Sequence, residues 1–147
     1  SVHHPGRSSG LDLPDSVKTS FLSFSPLTGI YGDTSMGGLF GGDRRQAGYD
    51  ALVIKGRADA LSMICIDDDD IEIRSASAYA GRTSSDTERA VKEDLGDIET
   101  RVAVIGPAGE KPVKLASINT EWRRNARRTG MRAIFGSQNL KVVADRG

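Results

Sequence analysis

"LSMICIDDDDIEIR", Leu61–Arg74, places four consecutive aspartates between two β-favoured runs. Leu61–Ile66 is apolar throughout and reads as a buried strand, whereas Ile71–Arg74 alternates apolar with charged side chains and reads as a second strand. Asp67–Asp70 is too polar to continue either run and reads as the solvated turn of a hairpin. A Ca²⁺ loop would spread its carboxylates through a longer segment with a glycine of its own, so the tetrad is a poor metal site.

The same patterns extend in both directions. Upstream, "YDALVIKG" (Tyr49–Gly56) reads as another buried strand and "TSFLSFS" (Thr19–Ser25) as an alternating one. Pro26 and Gly29 then turn the chain, the first by fixing φ and the second by permitting φ > 0. Residues 1–17 are rich in Ser, Gly and Pro and show no hydrophobic period. They are expected to form a flexible lead-in with His3 and His4 solvated, leaving 18–147 as the folded domain.

Downstream, "SSDTERAVKEDLG" (Ser84–Gly96) predicts a helix, with Ser85 and Glu88 as capping box and Gly96 as stop. Ala90, Val91 and Leu95 form its apolar stripe. A short strand in "RVAVIGPAGE" (Arg101–Glu110) breaks at Gly106-Pro107, and "VKLASI" (Val113–Ile118) reads as a strand. The arginine-rich segment that follows reads as a helix ending near Phe135 or Gly136, before a strand at "LKVVA" (Leu140–Ala144). Strands outnumber helices, which makes the fold class α+β with a β-rich core.

The chain has 147 residues, 37% of them hydrophobic, and balances 20 Lys+Arg against 20 Asp+Glu. One domain with an ordinary core is expected, with no global charge attracting nucleic acid or an anionic membrane. Cys65 is the only cysteine. This rules out a disulfide framework, a thiolate zinc site and an iron–sulfur cluster held by this chain alone. Cys65 lies in an apolar strand and reads as core. No apolar run reaches membrane-spanning length, and a cytoplasmic location is expected.

Two segments could carry chemistry. "GIYGDTSMGGLFGG" (Gly29–Gly42) has six glycines in fourteen residues, a density that lets backbone N–H groups surround an anion and that also suits a plain loop. Gly32 and Gly37 have the spacing of a phosphate-binding P-loop, but Gly38-Leu39 follows where Lys and Ser/Thr are required. "RRNARRTGMRAIFGSQN" (Arg123–Asn139) carries five arginines in ten residues. On a helix, Arg123 with Arg127, and Arg124 with Arg128 and Arg132, would form two ridges, paired either by carboxylates or by a polyanion. A compact anion such as pyrophosphate suits so short a cluster better than nucleic acid does. No Ser/His/Asp or G-x-S-x-G arrangement is suggested, so any chemistry is expected to come from a cofactor or from sequence outside this chain.

The ordered set "SPLTG", "MGGLFG", "AGYDALVIKG", "IEIR", "IGPAGE", "ASIN" and "RTGMRAIFGSQNLKVV" resembles the N-terminal domain of tungsten-dependent aldehyde:ferredoxin oxidoreductases, from Ser25 onward. The resemblance implies β-rich, largely antiparallel sheets with a few short helices. It also implies that the domain forms a base for a tungsten (or molybdenum) bis-pterin cofactor with Mg²⁺. Ser35 and Asn125 fall where the family uses backbone carbonyls on that Mg²⁺. Met36, Gly37 and Gly38 match the glycine-loop contact, Arg124, Ala126 and Arg128 fall in the phosphate-pairing segment, and Lys18 aligns with an upstream arginine. No catalytic side chain is implied here.

By the same resemblance, a 4Fe–4S cluster, further pterin contacts and the substrate-facing groups lie on segments outside this chain. Its partners are then the remaining domains or subunits, with an aldehyde as substrate and ferredoxin as electron acceptor; neither nucleic acid nor membrane is a partner. The isolated chain is expected to be inactive. The alternative is a non-catalytic degenerate module that binds a phosphate-bearing ligand or a protein partner. It is motivated by Arg127 and Arg132, which stand where the family has small residues.

Overall fold

A computed structural model describes residues 2–5, 18–24, 29–37, 51–68, 70–111, 118–120, 124–126 and 131–146. The hairpin at the centre of the chain forms as its sequence dictates. Strands β5 (Ser62–Asp67) and β6 (Asp70–Ser75) pair antiparallel with Ile64 opposite Ile73 and Asp67 opposite Asp70. Asp68 takes the left-handed conformation at φ 49° that so tight a turn needs. Met63–Ile66 are buried, but every residue of β6 is exposed, including Ile71 and Ile73. Alternation in β6 therefore gives two solvent-accessible faces at a sheet edge.

Four further strands join this hairpin. The six-stranded sheet has the order β6-β5-β10-β7-β8-β9, with β7 at Arg101–Ile105, β8 at Ile118–Thr120, β9 at Arg124–Ala126 and β10 at Leu140–Arg146. β10 runs parallel to β5 and antiparallel to β7, the other ladders of this sheet being antiparallel. Because both faces of the sheet are covered, its central strands are almost continuously apolar. Met63, Cys65, Val102, Val104, Val142 and Ala144 face one side, and Ile64, Ile66, Ala103, Ile105 and Val143 the other.

Helix α1 (Ser84–Leu95) covers the first face through Val91. Gly96 ends it at φ 69°, as predicted. The cap differs from the expected Ser85–Glu88 box. Thr83 is the N-cap, its Oγ1 accepting the Asp86 N–H at 3.2 Å and donating to Asp86 Oδ2 at 2.6 Å. That pair has the same three-residue spacing as the expected one. It leaves Glu88, buried, to face Lys92 at 3.5 Å.

The second face is covered by a smaller, four-stranded sheet and by a short helix, α3 (Met131–Ser137), on which another short helix, α2 (Pro107–Glu110), packs. Strand order in the smaller sheet is β3-β2-β1-β4, with β1 at Val2–Pro5, β2 at Lys18–Phe24, β3 at Tyr31–Gly37 and β4 at Leu52–Val53. Phe21 of β2 meets Phe135 of α3 edge-on, with ring centroids 6.5 Å apart. Burying aromatics of this size contributes roughly 1.5–3 kcal/mol each.

Several expectations are corrected here. Val2–Pro5 pairs with both β2 and β4, so the start of the supposed lead-in is a strand; residues 6–17 lie outside the described ones. Tyr31–Gly37 is a strand in register with β2, so the first half of the glycine-rich segment is not loop. The strand expected over Tyr49–Gly56 shrinks to two residues, with Val53 exposed. Arg124–Ala126 is also a strand, not helix, so the two arginine ridges do not form; α3 is described over Met131–Ser137, and residues 127–130 lie outside the described ones. Pairing with β8 overrides the high helical propensity of Ala and Arg there. Most of Val113–Ile118 lies outside the described residues, with β8 beginning at Ile118. No helix among the described residues is long and apolar enough to cross a membrane.

Candidate functional site

The two segments singled out in the sequence lie on two sheets whose edges meet. β3 is the outer strand of the four-stranded sheet and β9 the outer strand of the six-stranded one. They lie against each other, with Cα atoms approaching within 8 Å. An outer strand uses only half of its backbone N–H and C=O groups in its ladder, so two such edges together bring carbonyls and amides that the ladders do not use to one place.

Register fixes which residues share this place. Along the β2–β3 ladder Lys18 pairs with Gly37, Thr19 with Met36 and Ser20 with Ser35. The Ser20 and Ser35 hydroxyls are 3.1 Å apart on the exposed side of the hairpin, whereas Gly32 and Thr34 face inward. On β9, Arg124 pairs with Thr120, Asn125 with Asn119 and Ala126 with Ile118. The backbones of Lys18, Ser35, Met36 and Gly37 are thus gathered at one end of a hairpin, and those of Arg124, Asn125 and Ala126 lie on the strand beside it. Gly38 and Arg128 lie outside the described residues.

Sequence reasoning missed the groups that support this junction. Thr19 is 2% exposed, and its hydroxyl has no hydrogen-bond partner among the described residues; nothing in its local sequence marks it out. Lys141 is fully buried, donating to Glu110 Oε1 at 2.5 Å and to the Arg82 carbonyl at 3.1 Å. A lysine inside "LKVVA" was the available signal. Its ladder with β5 is irregular between Leu140 and Val142, and Leu140 accordingly joins the same apolar cluster as Val143. Gly136 packs directly on Gly109, a contact that no local pattern announces.

On the opposite face of the larger sheet is a cleft of about 340 Å³ lined by Cys65, Asp70, Arg74, Asp94 and Arg146, among others. Burial raises the Cys65 pKa above the ordinary thiol value, so the thiol stays protonated and serves as core, as expected. Tyr79 donates to Asp94 Oδ2 at 2.5 Å, and burial together with that bond pushes its pKa up to about 12. Arg74 is held by Glu72 at 2.6 Å. Among the described residues no group of three or more His, Cys, Asp and Glu side chains is arranged for a metal ion.

Comparison with known proteins shows the family of the chain. A family model described as "Aldehyde ferredoxin oxidoreductase, N-terminal domain" matches residues 2–147, beginning well before Ser25. Tungsten-containing aldehyde ferredoxin oxidoreductases of Pyrococcus horikoshii and Pyrococcus furiosus are each 40% identical over 97% of this chain. The chain spans 23% and 24% of their respective lengths. An aliphatic sulfonate oxidoreductase, WOR-like subunit, of Pyrococcus furiosus is 33% identical over 89% of the chain. Among solved structures, the active-site complex BamBC of benzoyl coenzyme A reductase, in complex with 1,5-dienoyl-CoA, superposes with a TM-score of 0.96 at 33% identity. That likeness covers 99% of this chain and 22% of the other. The chain therefore belongs to the family of aldehyde ferredoxin oxidoreductase N-terminal domains.

Proposed function

We propose that this chain is the cofactor-binding base of a tungsten bis-pterin oxidoreductase that oxidises aldehydes to carboxylic acids, with ferredoxin as electron acceptor. The observation that carries the proposal is the meeting of β3 and β9. A doubly phosphorylated ligand with its Mg²⁺ would need oxygen ligands for the metal and cationic groups for the phosphates. Two adjoining sheet edges, one bearing arginine, offer both. In this reading the Ser35 and Asn125 carbonyls hold Mg²⁺, and Met36, Gly37 and Gly38 admit the phosphates. Arg124, Ala126 and Arg128 flank them, while Lys18, opposite Gly37, adds charge without the bidentate fork of arginine.

The bound tungsten pterin supplies the two-electron chemistry, and this chain's residues bind and orient it. The 4Fe–4S cluster and the substrate-facing groups belong to segments outside this chain, which on its own is then inactive. Molybdenum in place of tungsten would leave the phosphate contacts unchanged. The names of the relatives span aldehyde, sulfonate and benzoyl coenzyme A chemistry on one domain type, which supports placing substrate choice elsewhere in the protein.

Arg124→Ala in the complete enzyme tests the reading. Loss of a charge-assisted hydrogen bond costs about 1.5–3 kcal/mol, so tungsten and pterin retention should drop about ten- to a hundredfold, with Arg124→Lys intermediate. Metal analysis and pterin quantification of the purified protein measure it. Undiminished content in Arg124→Ala would remove Arg124 from the site. A wild-type protein devoid of tungsten would favour a phosphate-binding module without redox chemistry.

A further inference from the structure

We infer that Gly136 is a positioning residue: by carrying no side chain it seats α3 as a wedge that sets the separation of β3 and β9. The cradle role of those two edges rests on the function proposed above, whereas the wedge itself rests on packing alone. A Cβ at Gly136 would stand 2.0 Å from the Gly109 carbonyl oxygen and 3.2 Å from its carbon, distances no methyl group can keep. The obstructing atoms are backbone, so no rotamer change relieves them.

Which side would yield is decided by what holds each. α2 is anchored, because Glu110 at its end pairs with fully buried Lys141 and accepts the Gly81 N–H at 3.0 Å. The Gly109 N–H is tied to the Gly106 carbonyl at 2.8 Å. α3 lies between the two sheets. It packs on β10 and β7 as well as on β2 and β3, and its Phe135 meets Phe21. Just beyond it, Gln138 Nε2 reaches the Ile54 carbonyl at 3.1 Å. A displaced α3 therefore shifts the four-stranded sheet relative to the larger one, to which β9 is tied through β8. The two edges separate. Supporting residues of a metal or cofactor site commonly cost about 10–100-fold in affinity when disturbed, because the ligating groups tolerate only about 0.5 Å of misplacement.

The test compares Gly136→Ala with Val91→Ala, a core truncation on the α1 side of the larger sheet, in the complete enzyme. Amide hydrogen exchange is expected to accelerate in Tyr31–Gly37 and Arg124–Ala126 of Gly136→Ala and to stay unchanged there in Val91→Ala. Tungsten and pterin per chain are expected to fall about 10–100-fold in the first variant and to hold in the second, even at equal loss of Tm. Faster exchange around Glu110 and Lys141 instead, or cofactor loss that merely tracks Tm in both variants, would overturn the wedge. If Gly136→Ala does not fold, Phe135→Leu shrinks the same wedge, and unaltered exchange in both edges would be equally fatal to it. Should the wild-type enzyme hold no tungsten, the proposed function fails and the exchange pattern alone decides the wedge.

Discussion

Lys141 and Glu110 form an unequal pair, because the lysine side chain is fully enclosed whereas the glutamate keeps 18% of its side-chain surface. An ammonium without counter-ion or water is the costlier orphan, since removing one partner of a buried pair destabilises by about 3–5 kcal/mol. Glu110→Ala should therefore lower stability by about 3 kcal/mol, within that range. Lys141→Met should cost less, because its methylenes pack as before and Glu110 still accepts the Gly81 N–H. Urea midpoints of the two variants check the order. The register irregularity beside β5 and the distant Glu110 explain the burial of a lysine between Leu140 and Val142.

At the level of elements, α1 depends on Thr83, which satisfies one of the free N–H groups of the first turn and is braced by Asp86. Thr83→Ala should cost about 1 kcal/mol, measured by thermal or urea unfolding, and Ser85→Ala little, which separates the observed cap from the expected one. The elements legible in the sequence were those whose signal is local: the β5–β6 hairpin with its acidic turn, the body and stop of α1, and the apolar runs of β7 and β10. Those misjudged depend on distant partners. Val2–Pro5 lacks a hydrophobic period and becomes a strand because β2 and β4 flank it. Arg124–Ala126 has helical spacing and becomes a strand because β8 pairs with it. The candidate site was legible as two separate segments by composition and family resemblance, while its geometry, one sheet edge against another, follows from tertiary pairing that no local pattern encodes.

Across the whole molecule, the larger sheet is assembled out of sequence order. β10 sits between β5 and β7, contributing Val142, Val143 and Ala144 to the two apolar clusters. Removing residues 140–147 would leave the facing edges of β5 and β7 unpaired and take side chains from both apolar clusters. The truncated chain should lose cooperative unfolding and protease resistance, whereas removal of 1–5, at the smaller sheet, should leave the larger sheet protected. Pulse proteolysis distinguishes the two.

The position of β10 also imposes a schedule on biosynthesis. A ribosome adding about 5–20 residues per second releases β5 several seconds before the strand that must lie beside it. Through that interval Met63, Ile64 and Ile66 have no central neighbour, so the nascent hairpin waits with its inner edge open. Chaperone engagement should therefore peak before residue 146 emerges and decline once it has.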